Sequence, residues 1–165
     1  MLKFLACVIA LVTLAFLSPM SSATADPSNA GKVKITVMGI NARGTDTLAN
    51  RNAEYVWVRN VSPATVNVKG WKVVDAAGNT TTFTEDNLPN LNATATTLDL
   101  PAGDSVIVYS GQGVDTTPDN NVHAIYRNGN HYLNNTSGET VRVLDADGST
   151  VDKLAYDAYG INPTP

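Results

Sequence analysis

Short runs of alternating apolar and polar residues, separated by turn-forming residues, recur along most of the chain. Lys32 to Met38 places Val33, Ile35 and Val37 on one face and polar residues on the other. Glu54 to Asn60 alternates in the same way. A period of two residues is typical of β-strands that have one buried and one exposed face. The pattern therefore predicts a fold built from many short strands.

The second of these runs has two chemically different faces. Val56 and Val58 lie on one side, which we assign to the core. Tyr55, Trp57 and Arg59 project from the other side, because successive side chains of a strand alternate. We therefore expect these three residues to form an aromatic and cationic stripe outside the domain. Such a stripe is a candidate binding surface.

Three more runs are predicted strands, over Thr65 to Lys69, Ser105 to Tyr109 and Glu139 to Asp145. Gly70 ends the first of them, and Trp71 and Val73 beyond it share one face. In the last run Val141 and Val143 occupy alternate positions that face inward. The predicted core thus contains Val56, Val58, Trp71, Val73, Val141 and Val143.

Two segments have the chemistry of tight β-hairpins. Val73 to Thr80 and Val143 to Thr150 each contain a strand, an Asp, a turn with Gly and a return strand that begins with Thr. Asp before a turn and Gly within it are favoured by the backbone angles that hairpins require. Asn87 to Thr97 and Gly111 to Asn121 are instead predicted to be long polar loops.

The composition supports an all-β fold. Thr, Asn and Val are abundant, whereas Glu occurs only at Glu54, Glu85 and Glu139. β-branched residues favour strands and Asn favours turns, while good helix formers are scarce. Charged residues make up 16% of the chain, below the usual quarter. We expect one β-sandwich or barrel domain with a surface rich in Thr and Asn.

The first residues have the features of a secretory signal peptide. A basic start at Lys3 precedes an apolar run, and Ala23-Thr24-Ala25 provides a small-residue cleavage site. We therefore expect export to the cell exterior after cleavage behind Ala25, with no membrane insertion of the processed chain. The predicted organisation is a signal peptide at 1–25, a polar lead-in at 26–31, the sandwich domain at 32–160 and a tail at 161–165.

Charge and cysteine content exclude several functions. The formal net charge is −4 and the isoelectric point is about 4.9, which argues against a nucleic-acid-binding surface. The single cysteine, Cys7, lies within the predicted signal peptide. The processed domain is therefore expected to have no disulfide, thiolate metal site or cysteine nucleophile. We expect no cofactor and no metal.

Several ordered motifs point to a known family. An Asn-x-Glu-aromatic strand ending in Asn is followed by a Gly-Trp strand that leads to Asp, then by a Leu-Pro-x-Gly turn and an Asn-Asn-x-x-Gly-Glu-Thr segment. These motifs lie at Asn52–Asn60, Val68–Asp75, Leu100–Gly113 and Asn134–Thr140. Together with a closing hairpin at Val143–Tyr156, they make residues 46–156 resemble the lamin tail domain in its bacterial, secreted form.

The resemblance implies an immunoglobulin-like β-sandwich and a function without catalysis. Bacterial members look like accessory modules of secreted or surface proteins. The implied role is binding to a cell-surface component, a polysaccharide or a partner protein. The family often has Glu where Trp57 stands, so the resemblance leaves the ligand preference of that position open.

Two other functions remain as alternatives. A small hydrolase or nuclease-type enzyme would use His123, His131 and loop carboxylates, although both histidines are expected to lie in loops or at a rim. Gly103-Asp104-Ser105 is similar to the nucleophile block of some esterases, but a turn followed by a strand explains it better. A calcium-dependent adhesion module would use Asp145 to Ser149, where we instead expect a hairpin turn.

Overall fold

A computed structural model describes residues 28–40, 47–115, 121–129 and 133–157. The predicted signal peptide at 1–25 and tail at 161–165 lie outside these ranges. Across the ranges described, no helix is long or apolar enough to cross a membrane. Arg51–Ala53 forms a short 3-10 turn.

The described residues form eleven strands. These are β1 Val33–Ile40, β2 Glu54–Asn60, β3 Val66–Asn67, β4 Lys72–Val74, β5 Thr80–Thr82, β6 Asn92–Ala93, β7 Leu98–Leu100, β8 Ser105–Tyr109, β9 Val122–Tyr126, β10 Glu139–Leu144 and β11 Thr150–Tyr156. Sheet A has the order β1-β2-β8-β9, sheet C the order β11-β10-β4-β5, and the small sheet B the order β3-β7-β6. All recorded strand pairs are antiparallel except β8 and β9, which run parallel.

One apolar core is shared by the sheets, as expected for an immunoglobulin-like β-sandwich. The six core residues predicted from the sequence are all buried, with Trp71 2% exposed and the five valines fully shielded. Phe83, Leu98 and Leu100 complete the centre of this cluster. The all-β class and the sandwich architecture predicted from alternation are thus confirmed.

A β-bulge in β1 changes the predicted alternation. Ile35 pairs with Val58, but the register then shifts so that Met38, instead of Val37, pairs with Val56. The expectation that Val33, Ile35 and Val37 occupy one continuous face is therefore wrong beyond Ile35. A bulge adds one unpaired residue and re-aims the strand, which alternation alone does not reveal. Next to it, Ile35 N donates to Asp152 Oδ2 at 2.8 Å and ties sheet A to β11.

Both predicted hairpins are present and use the same turn chemistry. Asp75 Oδ1 accepts from Asn79 N at 2.7 Å, and Asp145 Oδ1 accepts from Ser149 N at 2.8 Å. The glycine in each turn has a positive φ, 88° at Gly78 and 87° at Gly148, a conformation that favours glycine. The local sequence was sufficient to predict these hairpins, because the hydrogen bonds of each turn join residues only four positions apart.

Two segments differ from their predictions. The stretch predicted as a polar loop over Asn87 to Thr97 contains β6 and two core side chains, Leu88 and Leu91, which are 1% and 6% exposed. Val122–Tyr126 forms strand β9, which the sequence analysis did not identify. β9 pairs with β8 in parallel, so a crossover connection joins the two strands instead of a tight turn. The sequence therefore contains no hairpin turn that would reveal this pairing.

Candidate functional site

The predicted stripe lies on the outward face of sheet A. Along β2, Val56 and Val58 are buried, whereas Tyr55 and Trp57 are half-buried and Arg59 is exposed. The neighbouring strand β8 places Tyr109 beside Tyr55 and Ile107 beside Trp57. The stripe is therefore one part of a wider surface. We call Tyr55, Trp57, Arg59, Ile107, Tyr109 and Tyr126 the aromatic face.

Three tyrosines from three adjacent strands form a row across this face. Tyr109 lies opposite Tyr55 on β2 and opposite Tyr126 on β9. The rings of Tyr55 and Tyr109 are 5.7 Å apart between centroids and tilted by 58°. Those of Tyr109 and Tyr126 stack at 4.9 Å with an interplanar angle of 15°. Aromatic pairs of this kind stabilise a sheet beyond the area they bury.

Glycines close the row at both ends. A Cβ atom at Gly113 would lie 2.4–2.6 Å from Cγ, Cδ1 and Cε1 of Tyr126, nearly equal distances that place it over the ring face. At the other end, a Cβ atom at Gly39 would lie 2.4 Å from Cε1 of Tyr55. Glycine permits this close approach of backbone to ring. Part of the ring-face area is thus occupied by neighbours within the row.

The tyrosine hydroxyl groups are close enough to affect one another. Partial burial raises the pKa of Tyr109 above its usual value, and the adjacent phenols of Tyr126 and Tyr55 raise it further. A phenol with a raised pKa stays protonated and can donate a hydrogen bond throughout the neutral range. The Tyr109 hydroxyl is therefore a neutral donor and acceptor at the centre of the row.

Arg59 borders a shallow depression at the opposite end of β2. Its lining residues enclose about 320 Å³ and are Thr36, Arg59, Asn60, Val61, Ser62 and Gly103. Arg59 is exposed here, and Lys34 on β1 is its cross-strand neighbour. One end of the aromatic face is therefore cationic, and the other end is lined by tyrosines.

The family model for the Lamin Tail Domain matches residues 26–158. The chain belongs to the Lamin Tail Domain family. Comparison with curated protein sequences found no match. The family is one of non-catalytic immunoglobulin-like modules, which agrees with the sandwich described above.

Polar residues of the family motifs in this lamin tail domain are buried and hydrogen-bonded within the fold. Glu54 is fully buried; its Oε1 accepts from Ser110 Oγ and from Leu133 N at 3.1 Å, so it links three chain segments. Asn60, also fully buried, donates from Nδ2 to the carbonyl oxygens of Leu100 and Pro101, both at 3.0 Å. The motif polar residues thus hold the connections between strands in place.

The enzyme alternative receives little support from the position of His123. His123 is 4% exposed within β9, and its Nε2 lies 3.3 Å from Asp104 Oδ2. The expectation of a loop or rim histidine is therefore wrong for His123, while His131 lies outside the described residues. Ser105 follows Asp104 in an extended strand, so it faces the opposite side of the sheet from His123. The residues 103–105 form a turn and a strand start, with Asp104 N donating to Pro101 O at 3.2 Å.

The calcium alternative is also weakened by the local geometry. Asp145 is 2% exposed, and its Oδ1 already accepts from the backbone N–H groups of Asp147 and Ser149. Among residues whose positions are described, no three His, Cys, Asp or Glu side chains are grouped to hold a metal ion. The segment Asp145 to Ser149 is the hairpin turn that its sequence predicted.

Sequence reasoning identified Tyr55, Trp57 and Arg59 but missed the residues that extend their surface. Tyr109 ends a run already predicted as a strand, so its alternation with Ile107 was available from the sequence. Tyr126 could not be placed beside them, because its neighbour on β8 is set by parallel pairing. Nothing in the local sequence specifies which strand lies next to β8.

Proposed function

We propose that this lamin tail domain is a binding module whose aromatic face recognises a partner protein. The observation that carries the proposal is the row Tyr55, Tyr109 and Tyr126 beside Trp57 and Arg59. Tyr, Trp and Arg are the residues that contribute most often to protein–protein binding energy. The partly exposed Trp57 beside the nearly buried Ile107 provides an apolar centre, and Arg59 with the tyrosine hydroxyls provides a polar rim.

The geometry favours a protein over a sugar chain at this face. Sugar rings stack on exposed aromatic faces, whereas Tyr109 and Tyr126 stack on each other and Tyr126 also packs on Gly113. Ring edges and hydroxyls suit the irregular contacts of a protein surface better. Sheet A has four strands, of which the two shortest, β8 and β9, have five residues each. The part where all four run side by side therefore measures about 19 by 17 Å, so we expect a small interface and transient binding.

We propose that this interaction takes place outside the cell, because residues 1–25 have the features of a signal peptide. Removal of residues 1–25 would produce a chain that begins at Asp26. N-terminal sequencing of protein recovered from the culture medium tests this part of the proposal. A start at Asp26 supports it, and protein retained inside the cell with an intact Met1 contradicts it.

Site-specific photocrosslinking tests the partner and the face together. A benzophenone amino acid is placed at Thr36, an exposed residue beside Arg59, in the chain produced by its own cells. The matched control is Thr96, an exposed threonine between β6 and β7, away from sheets A and C. We expect a protease-sensitive adduct from position 36, lost when Trp57→Ala is added, and none of the same mass from position 96.

Two results would oppose the proposal. An equal adduct from both positions would show that contact is not specific to the aromatic face. An adduct that survives protease and disappears on glycosidase treatment would identify a polysaccharide as the ligand of this face.

A further inference from the structure

The outward face of sheet C carries three cations. Arg142 on β10 lies directly opposite Lys153 on β11 and, on its other side, opposite Val74 on β4. Lys72, two residues before Val74, is therefore a diagonal neighbour of Arg142 on the same face. Arg142 and Lys153 are exposed and Lys72 is half-buried. We call Lys72, Arg142 and Lys153 the basic face.

Among the described residues, no carboxylate forms an ion pair with this face. The recorded ion pairs between described residues are Lys69–Glu85 and His123–Asp104, and neither involves the basic face. The acidic residues of β10 and β11 are directed elsewhere: Glu139 accepts from Tyr156 Oη at 2.9 Å, and Asp152 accepts from Ile35 N. A chain with a net charge of −4 thus concentrates unpaired positive charge on one sheet.

This arrangement costs folding energy. Like charges directly opposite each other on neighbouring strands are destabilising, with Cβ atoms about 5 Å apart, and the diagonal neighbour is about 7–8 Å away. A bound polyanion would relieve this repulsion and use the same spacing for recognition. The remaining outward positions of sheet C in the described chain include several threonine hydroxyls, at Thr80, Thr82 and Thr140.

We propose that the basic face binds an acidic polysaccharide with carboxylate groups on successive or alternate sugars. Arg142 suits a carboxylate because a guanidinium can donate two parallel hydrogen bonds to it. Lys72 and Lys153 contact neighbouring carboxylates as point charges, and the threonines contact sugar hydroxyls. The outward positions described for sheet C hold no aromatic side chain on which the bases of single-stranded nucleic acid could stack. Three cations are also too few for an acidic protein to bind double-stranded nucleic acid tightly through its phosphates.

The basic face is separate from the aromatic face. Sheets A and C pack their inner sides on one core, so their outward sides point away from each other. A domain that binds a protein through sheet A and a polysaccharide through sheet C would link the two. Substitutions in one face should leave binding by the other face unchanged. A negative result for one proposal therefore does not contradict the other.

The test is titration of the full chain with polygalacturonate, with neutral galactan as the control polymer. We expect binding of polygalacturonate to weaken about tenfold or more in the variant Lys72→Gln/Arg142→Gln/Lys153→Gln. The logarithm of the affinity should fall linearly with the logarithm of the salt concentration, with a slope of about −2 to −3 in the unmodified chain and near zero in the variant. The matched control is Lys34→Gln/Arg59→Gln, which removes the opposed cations of sheet A and should leave this binding intact.

A further variant separates geometry from charge. Arg142→Lys keeps all three charges but removes the two-point contact, so we expect an intermediate loss of affinity with the salt slope unchanged. The triple variant should melt at the same or a higher temperature than the unmodified chain, because it relieves repulsion. Four results would overturn the proposal: unchanged binding by the triple variant, an equal loss in the sheet A control, equal binding of galactan, or tighter binding of duplex DNA than of polygalacturonate.

Discussion

The ring of Tyr126 stacks on that of Tyr109 at a centroid distance of 4.9 Å, and the backbone of Gly113 packs against the same Tyr126 ring. The segment after β8, which contains Gly113, thus packs against Tyr126 where Tyr126 stacks on Tyr109. The order of the whole row depends on that close approach.

Gly113→Ala should disturb this row. The added Cβ would lie 2.4 Å from the Tyr126 ring, so the ring or the segment must move. We expect a loss of about 1–3 kcal/mol in the free energy of unfolding and a changed tyrosine signal in near-ultraviolet circular dichroism. Gly129→Ala is the control, because the nearest described atom to its added Cβ would be Arg127 O, at 3.6 Å. Equal effects of the two substitutions would contradict the packing described here.

The two tryptophans should differ strongly in their contribution to stability. Trp71 is 2% exposed in the core, so Trp71→Ala should cost about 3–5 kcal/mol, much of the stability of a domain this size. Trp57 is half-buried on the outward face, and Trp57→Ala should cost about 1 kcal/mol or less. Urea denaturation of both variants measures the difference. A comparable loss from Trp57→Ala would mean that other parts of the protein cover the aromatic face.

Asn60 should be among the most sensitive polar residues of the chain. Its Nδ2 donates to Ala64 O, Leu100 O and Pro101 O, and its Oδ1 accepts from the N–H and Oγ of Ser62. Asn60→Ala leaves buried carbonyl groups without this donor, and we expect a loss of about 2–4 kcal/mol in chemical denaturation. The exposed Asn90→Ala should change stability by about 0.5 kcal/mol or less. A small effect at Asn60 would show that water replaces the lost contacts.

Stability should fall at alkaline pH, in part through Tyr156. Burial, and next the hydrogen bond to Glu139, raise the pKa of Tyr156 well above its usual value of 10.0. The unfolded state then loses its proton first, so this contribution to stability is complete below about pH 10 and is lost as the pH rises further, at most about 1.4 kcal/mol per pH unit.

Tyr156→Phe removes that titration. Its free energy of unfolding should decline less steeply above about pH 10 than that of the unmodified chain. At neutral pH the variant should lose about 1 kcal/mol with the hydrogen bond to Glu139. Denaturant titrations at a series of pH values give both quantities, and parallel alkaline slopes would contradict the assignment.

Calcium should leave the domain's stability unchanged. Asp145 Oδ1 already accepts two backbone hydrogen bonds, and that side chain is almost completely buried. A site with a dissociation constant of about 0.1 mM would add about 1.4 kcal/mol at about 1 mM calcium, which a melting curve detects. A rise in melting temperature that Asp147→Asn abolishes would restore the adhesion alternative.

The sequence predicted the two faces of β2 and both hairpins correctly, because the interactions that define them are local. Alternation along β2 placed Val56 and Val58 inward and Trp57 outward, because successive side chains of a strand point to opposite faces of the sheet. The hairpins after Val74 and Leu144 were equally predictable, since Asp and Gly define a turn that closes on itself. The bulge in β1 was not predictable, because it adds one residue at a point that no residue type marks.

The sequence by itself determined that this chain is an all-β member of the Lamin Tail Domain family with a valine-rich core around Trp71. These properties depend on a two-residue period, on turn residues and on the order of motifs, all of which are written along the chain. The tertiary structure alone decided that Tyr126 joins Tyr55 and Tyr109, that His123 is buried beside Asp104, and that Lys72 lies diagonally across from Arg142. These neighbours are far apart in sequence, and long-range packing of the sheets determines which strands lie side by side.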